Sequence, residues 1–349
     1  MSGILQSALG GGRALLVGWF LPSFINVLVF GLAVAPGLSG FRALAAPQGG
    51  EPVRATVFAL VATAVLGLVL AALQTPLYRV LEGYLAWPRA AFGWGRARQL
   101  ARKYLLRNRL EAARLVAAEA AGELSSSQAQ TLAAFRAHPV TGRFVAADAQ
   151  RGQVWLSLLE ERLGRYPTRD HEVTPTRLGN AIRRFEEYGF DRFRLDSQVF
   201  WHELNAVVCE PARTQAETAR VNVDFFVCLL YGHLLVAAGA GCRLIAAPRV
   251  WWPLAVAAGA LSLLAILWYH VAVVATDEWA AAVRALVNLG RAPLATALGL
   301  ALPDSIARER TMWALAAEHA QTPYDPAQAT LDAFRADPHA SAGPTPTPD

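Results

Sequence analysis

The sequence predicts an all-α polytopic membrane protein with four transmembrane helices and a cytoplasmic helical domain inserted between helices 2 and 3. Three observations carry this reading. Charge-free runs occur at 14–41, 55–78, 225–242 and 250–276, and about 20 residues rising about 1.5 Å each cross a hydrocarbon layer of about 30 Å. Apolar residues make up 54% of the 349, with mean hydropathy +0.29, above the roughly 45–50% of a soluble domain. Residues 79–222 hold 22 basic and 16 acidic side chains, a net +6, and basic residues flanking a span stay on the cytoplasmic side.

The first predicted span has its apolar core at Ala14–Ala35, interrupted by Pro22 and Asn26, which predicts a kink or close packing on a neighbour. Ala43-Leu44-Ala45 resembles a signal cleavage site. The apolar run is longer than the roughly 7–15 residues of a secretory core, so a retained span is the preferred reading. The loop at 37–54, rich in Gly and Pro, falls outside and the second span covers 55–78. Transmembrane helices 1 and 2 thus occupy 1–78.

The insert, 79–222, opens with eight basic residues from Arg89 to Arg114. Leu106, Leu110, Ala113, Ala117, Ala121 and Leu124 recur at steps of three and four, so 96–124 reads as an amphipathic helix ended by Ser125-Ser126-Ser127. Shorter helices follow at 128–137 and 150–163. Thr174-Pro175 has the form of a helix start, with Leu178, Ile182 and Phe185 as the buried stripe and Gly189 as the C-terminal cap. Asp196 or Ser197 caps the next helix, and Pro211 opens the one that enters the third span. Period-2 alternation is absent, so the insert is read as helical throughout. Transmembrane helices 3 and 4 take 223–276, the fourth beginning at an aromatic anchor, Trp251-Trp252-Pro253. Cytoplasmic helices occupy 277–321, the last starting at Leu302-Pro303-Asp304-Ser305. The Pro-rich tail, 322–349, is expected to be flexible. The run 131–139 echoes 330–338, but the flanks do not match and chance in an Ala-rich chain is the simpler account.

Composition narrows the chemistry. Lys103 is the only lysine among 32 basic residues, a pattern expected of a GC-rich bacterial genome. The three cysteines, Cys209, Cys228 and Cys242, have no metal or disulfide spacing. Nucleotide-binding, zinc-protease, hydrolase and kinase motifs are absent, so no catalytic residue, cofactor or metal is expected. The acidic group Glu186, Glu187, Asp191, Asp196 and His202 is interleaved with Arg183, Arg184 and Arg192 and reads as ordinary helical ion pairing.

Three sets of residues are candidates for function. Asn26, Gln74, His233 and His270 are polar positions inside the apolar runs, where polar groups are costly and face a bundle interior or water. His233 and His270 fall at similar depth if their helices are antiparallel neighbours, which allows a mutual hydrogen bond, a pore lining or simple interhelical bonding. Arg96, Arg98, Arg102, Lys103, Arg107 and Arg109 follow a span and suit the headgroups of an anionic lipid bilayer. They lack the aromatic interleaving of a nucleic-acid platform, so nucleic acid is not an expected partner. Arg177, Arg183 and Arg184 are candidates for binding an unknown cytoplasmic protein.

The residues PTRLGNAIRRFEEYGFDRFRLDSQVFW, 175–201, resemble a signature of an uncharacterised family of bacterial four-span integral membrane proteins. The stretch NLGRAPLATALGLALPDSIARERTMW, 288–313, is similar to that family's C-terminal segment, where Leu-Pro precedes a charged helix. The resemblance runs from about Tyr78 to His319 and implies no activity. In architecture alone, four spans with a helical cytoplasmic part are also similar to bestrophin-like channels.

The expectation is a multi-pass protein of the bacterial cytoplasmic (inner) membrane, with both termini cytoplasmic and self-association. Its expected role is a membrane-anchored scaffold or regulatory subunit. The alternative is a homo-oligomeric ion channel or transporter.

Overall fold

A computed structural model describes residues 12, 14–35, 51–246, 251–323 and 326–336. The chain is helical throughout these residues; the only bridge among them is an isolated antiparallel pair, Leu300 with Arg335. Four helices are long and apolar enough to cross a membrane: α1 (Leu16–Ala33), α2 (Glu51–Ala72), α11 (Glu210–Ala246) and α12 (Trp251–Ala297). Between α2 and α11 come α3 (Gln74–Glu82), α4 (Arg89–Ala121), α5 (Ser126–Ala137), α6 (Gly142–Gln150), α7 (Gly152–Gly164), α8 (Arg177–Glu186), α9 (Tyr188–Phe193) and α10 (Trp201–Val207). After α12 comes α13 (Ile306–Gln321), then a 3₁₀ segment at Pro326–Phe334.

The described residues divide into two compact units. One holds Tyr78–Tyr188; the other joins the chain up to Leu77 with Gly189–Asp349. The sequence reading extended the insert to Asn222. In the structure α10 and the start of α11 pack within the larger unit, because Leu204 and Val208 close on Gly290 of α12, where an added Cβ would lie 2.6 and 2.5 Å from their side-chain atoms.

In the larger unit, a π-turn precedes Pro22 in α1. Residues Leu16–Phe20 form a π-turn in which the Leu21 N–H donates to the Leu16 carbonyl. Pro22 has no N–H to give, and an extra residue in the preceding turn is a common accommodation. Val34, Val236, Ala237, Ala240, Leu254 and Leu261 make one core between α1, α11 and α12; Trp19, Leu70 and Cys228 make another that includes α2. Beyond Pro293 inside α12, the chain turns back, and Arg291 donates to both oxygens of the buried Glu309 carboxylate at 2.6 and 2.5 Å. Trp313 Nε1 donates to the same carboxylate at 3.2 Å, and Arg310 donates to the Asp191 and Arg192 carbonyls at 2.7 Å each. The stretch 288–313 is therefore a structural clasp, with Ser305 capping α13 through the Arg308 N–H.

In the smaller unit, α4 runs from Arg89 and stops at Gly122, whose φ of 74° ends the helix in the left-handed region. Ser125 and Gln128 then form a capping box for α5. The core is Ala112, Leu115, Leu132 and Val145. Helix α6 is an element that the hydrophobic pattern did not predict; Asp148 within it is buried and accepts two bonds from Arg109, at 2.9 and 2.7 Å, and one from Trp155 Nε1 at 2.6 Å.

Two predicted caps move. The cap of α8 is Thr176, whose hydroxyl accepts from the Gly179 N–H at 3.0 Å, rather than Thr174. Asn180 explains the shift: its amide bonds the Thr174 N–H, the Thr174 carbonyl and the Thr176 carbonyl, holding Thr174 outside the helix. Gly189 is buried inside α9 instead of capping α8, and an added Cβ there would lie 2.7 Å from the Leu195 carbonyl. Asp196 does accept from the Gln198 and Val199 N–H groups, as a cap should. The echo 131–139 against 330–338 is α-helix in the first copy and 3₁₀ in the second, so it is no repeated module. The tail beyond Ala336, expected to be flexible, lies outside the described residues, as does most of the loop at 37–54.

Candidate functional site

Polar groups gather at two places, one in each unit. In the larger unit the centre is Asn26 on α1. Its side-chain oxygen lies 2.8 Å from His233 Nδ1, and its amide donates to the Cys228 carbonyl at 3.3 Å. His233 Nδ1 also lies 2.9 Å from the Leu229 carbonyl. Both neighbours are acceptors, so Nδ1 carries the proton. Ser23 Oγ lies 3.5 Å from Cys228 Sγ, and the Cys228 thiol reaches the Trp19 carbonyl at 3.6 Å. Asn26, Ser23 and His233 are all buried. Gly232 makes the approach possible, because a Cβ there would stand 1.9 Å from Asn26 Nδ2. Trp19, Ser23 and Asn26 of α1 and Cys228, Leu229 and His233 of α11 therefore bond one another through a closed set of donors and acceptors.

One helical turn and a little more toward the start of α11 lies Asp224, also buried. Gln74 Nε2 donates to it at 3.0 Å, Arg220 stands 4.0 Å away, and a Cβ added at Gly18 of the π-turn would lie 3.4 Å from the Asp224 Cβ. Gln74, singled out as an intramembrane polar residue, thus answers a buried carboxylate.

His270 is placed differently from His233. It is exposed, and its ring meets Tyr269 at 5.7 Å. The ring facing His233 is Trp268, at 6.1 Å and 74°. Two residues along a helix are 200° around it, so α12 presents Trp268 to α11 and carries His270 away. Similar depth along two antiparallel helices does not fix their rotation.

In the smaller unit four charged groups and a phenol converge: Arg79, Glu82, Tyr84, Arg183 and Glu186. Close backbone contact makes this possible, since a Cβ on Gly179 would lie 2.4 Å from the Glu82 carbonyl. Gly83, at φ 96°, and Gly95 both receive the Pro175 ring, with added Cβ atoms only 2.3 and 2.7 Å from it. Burial pushes the Glu186 carboxyl up to about 7; the neighbouring Glu82 charge pushes the same way, and Arg183 and Arg79 oppose. Burial likewise raises Glu82 and Tyr84, with Arg79 opposing in both. Nothing in the sequence joins Glu82 to Glu186, which are more than a hundred residues apart. Glu186 also sits three after Arg183, a spacing that reads as a surface pair.

The remaining candidates divide by surroundings. Arg96 donates to the Val173 and Asp170 carbonyls at 3.2 and 3.0 Å. Lys103 bonds the Thr168 carbonyl and the Asp170 carboxylate, at 3.0 and 2.8 Å. The Lys103 and Tyr104 bonds hold Asp170 below the usual carboxylate range. Arg109 is committed to Asp148. These three cations secure their own unit rather than facing lipid. Arg98 and Arg107 are exposed, and Arg102 is half-buried. Arg183 pairs with Glu187, and Arg177 and Arg184, the other two arginines proposed for a protein partner, are half-buried.

No family model, curated protein or solved structure matches the chain.

Proposed function

We propose that this protein is a membrane-anchored regulatory or scaffolding subunit of a bacterial inner membrane, displaying Tyr78–Tyr188 to the cytoplasm for a protein partner. The observation that supports this best is the closed bonding among Asn26, Ser23, Cys228 and His233. Polar groups that satisfy one another across two helices act as an anchor's internal ties. A translocation pathway instead needs polar groups turned to a passing ion. The other support is that Tyr78–Tyr188 packs as a unit of its own, with an ion-paired interior at Arg109 and Asp148. The positive flank after the second span supports a cytoplasmic position for that unit and for both termini.

The test is site-specific photocrosslinking in intact cells. A photoreactive residue is placed at Gln130 on α5 and at Val154 on α7; both positions are exposed. The expected product is a crosslink from at least one of them to a cytoplasmic protein. Clean expression with crosslinks to neither a protein nor a second copy would contradict a partner-binding role.

A further inference from the structure

The first turns of α4 have an exposed face of the wrong character for water. Positions Ala90, Trp94, Ala97, Ala101 and Tyr104 follow steps of four, three, four and three, and all are exposed. Trp94 has 65% of its surface uncovered and Tyr104 45%. The opposite face of the same turns is occupied, since Gly95 receives Pro175 and Gln99 accepts from the Tyr166 hydroxyl. From Arg107 onward the exposed face changes to Arg107, Glu111 and Arg114, with Arg114 bonded to Glu160 at 2.7 Å. One helix therefore has an apolar outer stripe for its first four turns and a charged one beyond.

Cations border the apolar part. The Arg98 guanidinium lies 5.4 Å from the Trp94 ring centre, and Arg79 lies 5.3 Å from that of Tyr84. Tyr84 and Leu85, in the loop just before α4, are each 48% exposed. An apolar stripe with aromatic residues and flanking arginines is the make-up of a helix lying in a bilayer interface. The tether agrees. Twenty-one residues lie between Ala72, the end of the apolar helix α2, and Trp94, and the nine of α3 are helical.

We propose that residues 84–104 form an interfacial membrane-docking surface, in which Trp94, Tyr84 and Leu85 enter the headgroup region and Arg98 and Arg89 engage anionic lipid. The occupant is the bilayer that holds the spans. This assignment rests on the membrane reading but not on any protein partner. It also separates the arginines that meet lipid from Arg96, Lys103 and Arg109, which the fold consumes.

The test uses the full chain with Cys209 and Cys242 replaced by Ser, reconstituted in vesicles, with a spin label at Ala97→Cys or, as the aqueous reference, at Glu111→Cys. Collision with oxygen, which partitions into lipid, is compared with collision with a water-soluble nickel chelate. The expected result is an oxygen-to-nickel ratio several-fold higher at 97 than at 111, in vesicles of equal parts phosphatidylcholine and phosphatidylglycerol. That ratio should fall in phosphatidylcholine alone, and fall again in the Arg98→Glu variant. Equal ratios at 97 and 111 would overturn the proposal. A label at 97 shielded from both reagents would overturn it too, and would assign the stripe to a protein or a second copy. A high ratio indifferent to phosphatidylglycerol would overturn the role given to the arginines.

Discussion

Gly232 and Glu186 are the residues on which most depends. Gly232 lets Asn26 reach both the Cys228 carbonyl and His233. Gly232→Ala forces Asn26 aside and leaves buried polar groups unpaired, at about 1–3 kcal/mol; the denaturation midpoint in detergent should fall, and an unchanged midpoint would contradict the network. For Glu186 the sign follows from its raised carboxyl. Between the ordinary value of 4.5 and about 7 the folded chain holds a proton that the unfolded chain has released. Stability therefore declines as pH rises through that window, and the penalty, at most about 3 kcal/mol, is complete above it. Glu186→Gln should remove this slope and raise the midpoint at a pH of about 8. A variant that keeps the wild-type slope would show that Glu186 is not its source.

At the level of elements, the sequence was most informative where a helix had one apolar stripe or a hard stop. The four apolar helices and the start of α13 at Ser305 were legible for that reason. Helix α6 was not, because its stabilising residue is a buried aspartate, and an aspartate in sequence reads as surface. The α8 cap was misplaced by two residues because Asn180 reaches back to Thr174, a bond that no spacing rule anticipates. The same limit hid the role of Arg109. Seen in a basic run it suggested lipid; in the fold it lies 2.7 Å from Asp148 and 4.1 Å from the Phe144 ring centre. Removing one partner of a buried pair costs about 3–5 kcal/mol. Arg109→Gln should therefore make α4–α7 sensitive to protease while leaving vesicle association intact. Lost lipid dependence with full protease resistance would restore the headgroup role.

For the whole molecule, the stretches around 175–201 and 288–313 contain structural fastenings: the Thr174–Asn180 bonds and the Arg291–Glu309 clasp. The candidate site was half legible. Asn26 and His233 were found because polar residues stand out in apolar runs, whereas Ser23, Cys228, Gly232 and the Glu82–Glu186 pair appear only once the chain is folded. Together these features tie α1 to α11 and leave Tyr78–Tyr188 as a compact unit of its own.

The measurement that tests this most directly is ion flux through the purified protein in sealed vesicles, across steps of salt and pH, with His233→Ala beside the wild type. The account predicts flux no greater than in empty vesicles for both proteins, with insertion verified. Flux above that background, altered by His233→Ala, would contradict it and make the closed polar set of α1 and α11 part of a conducting path.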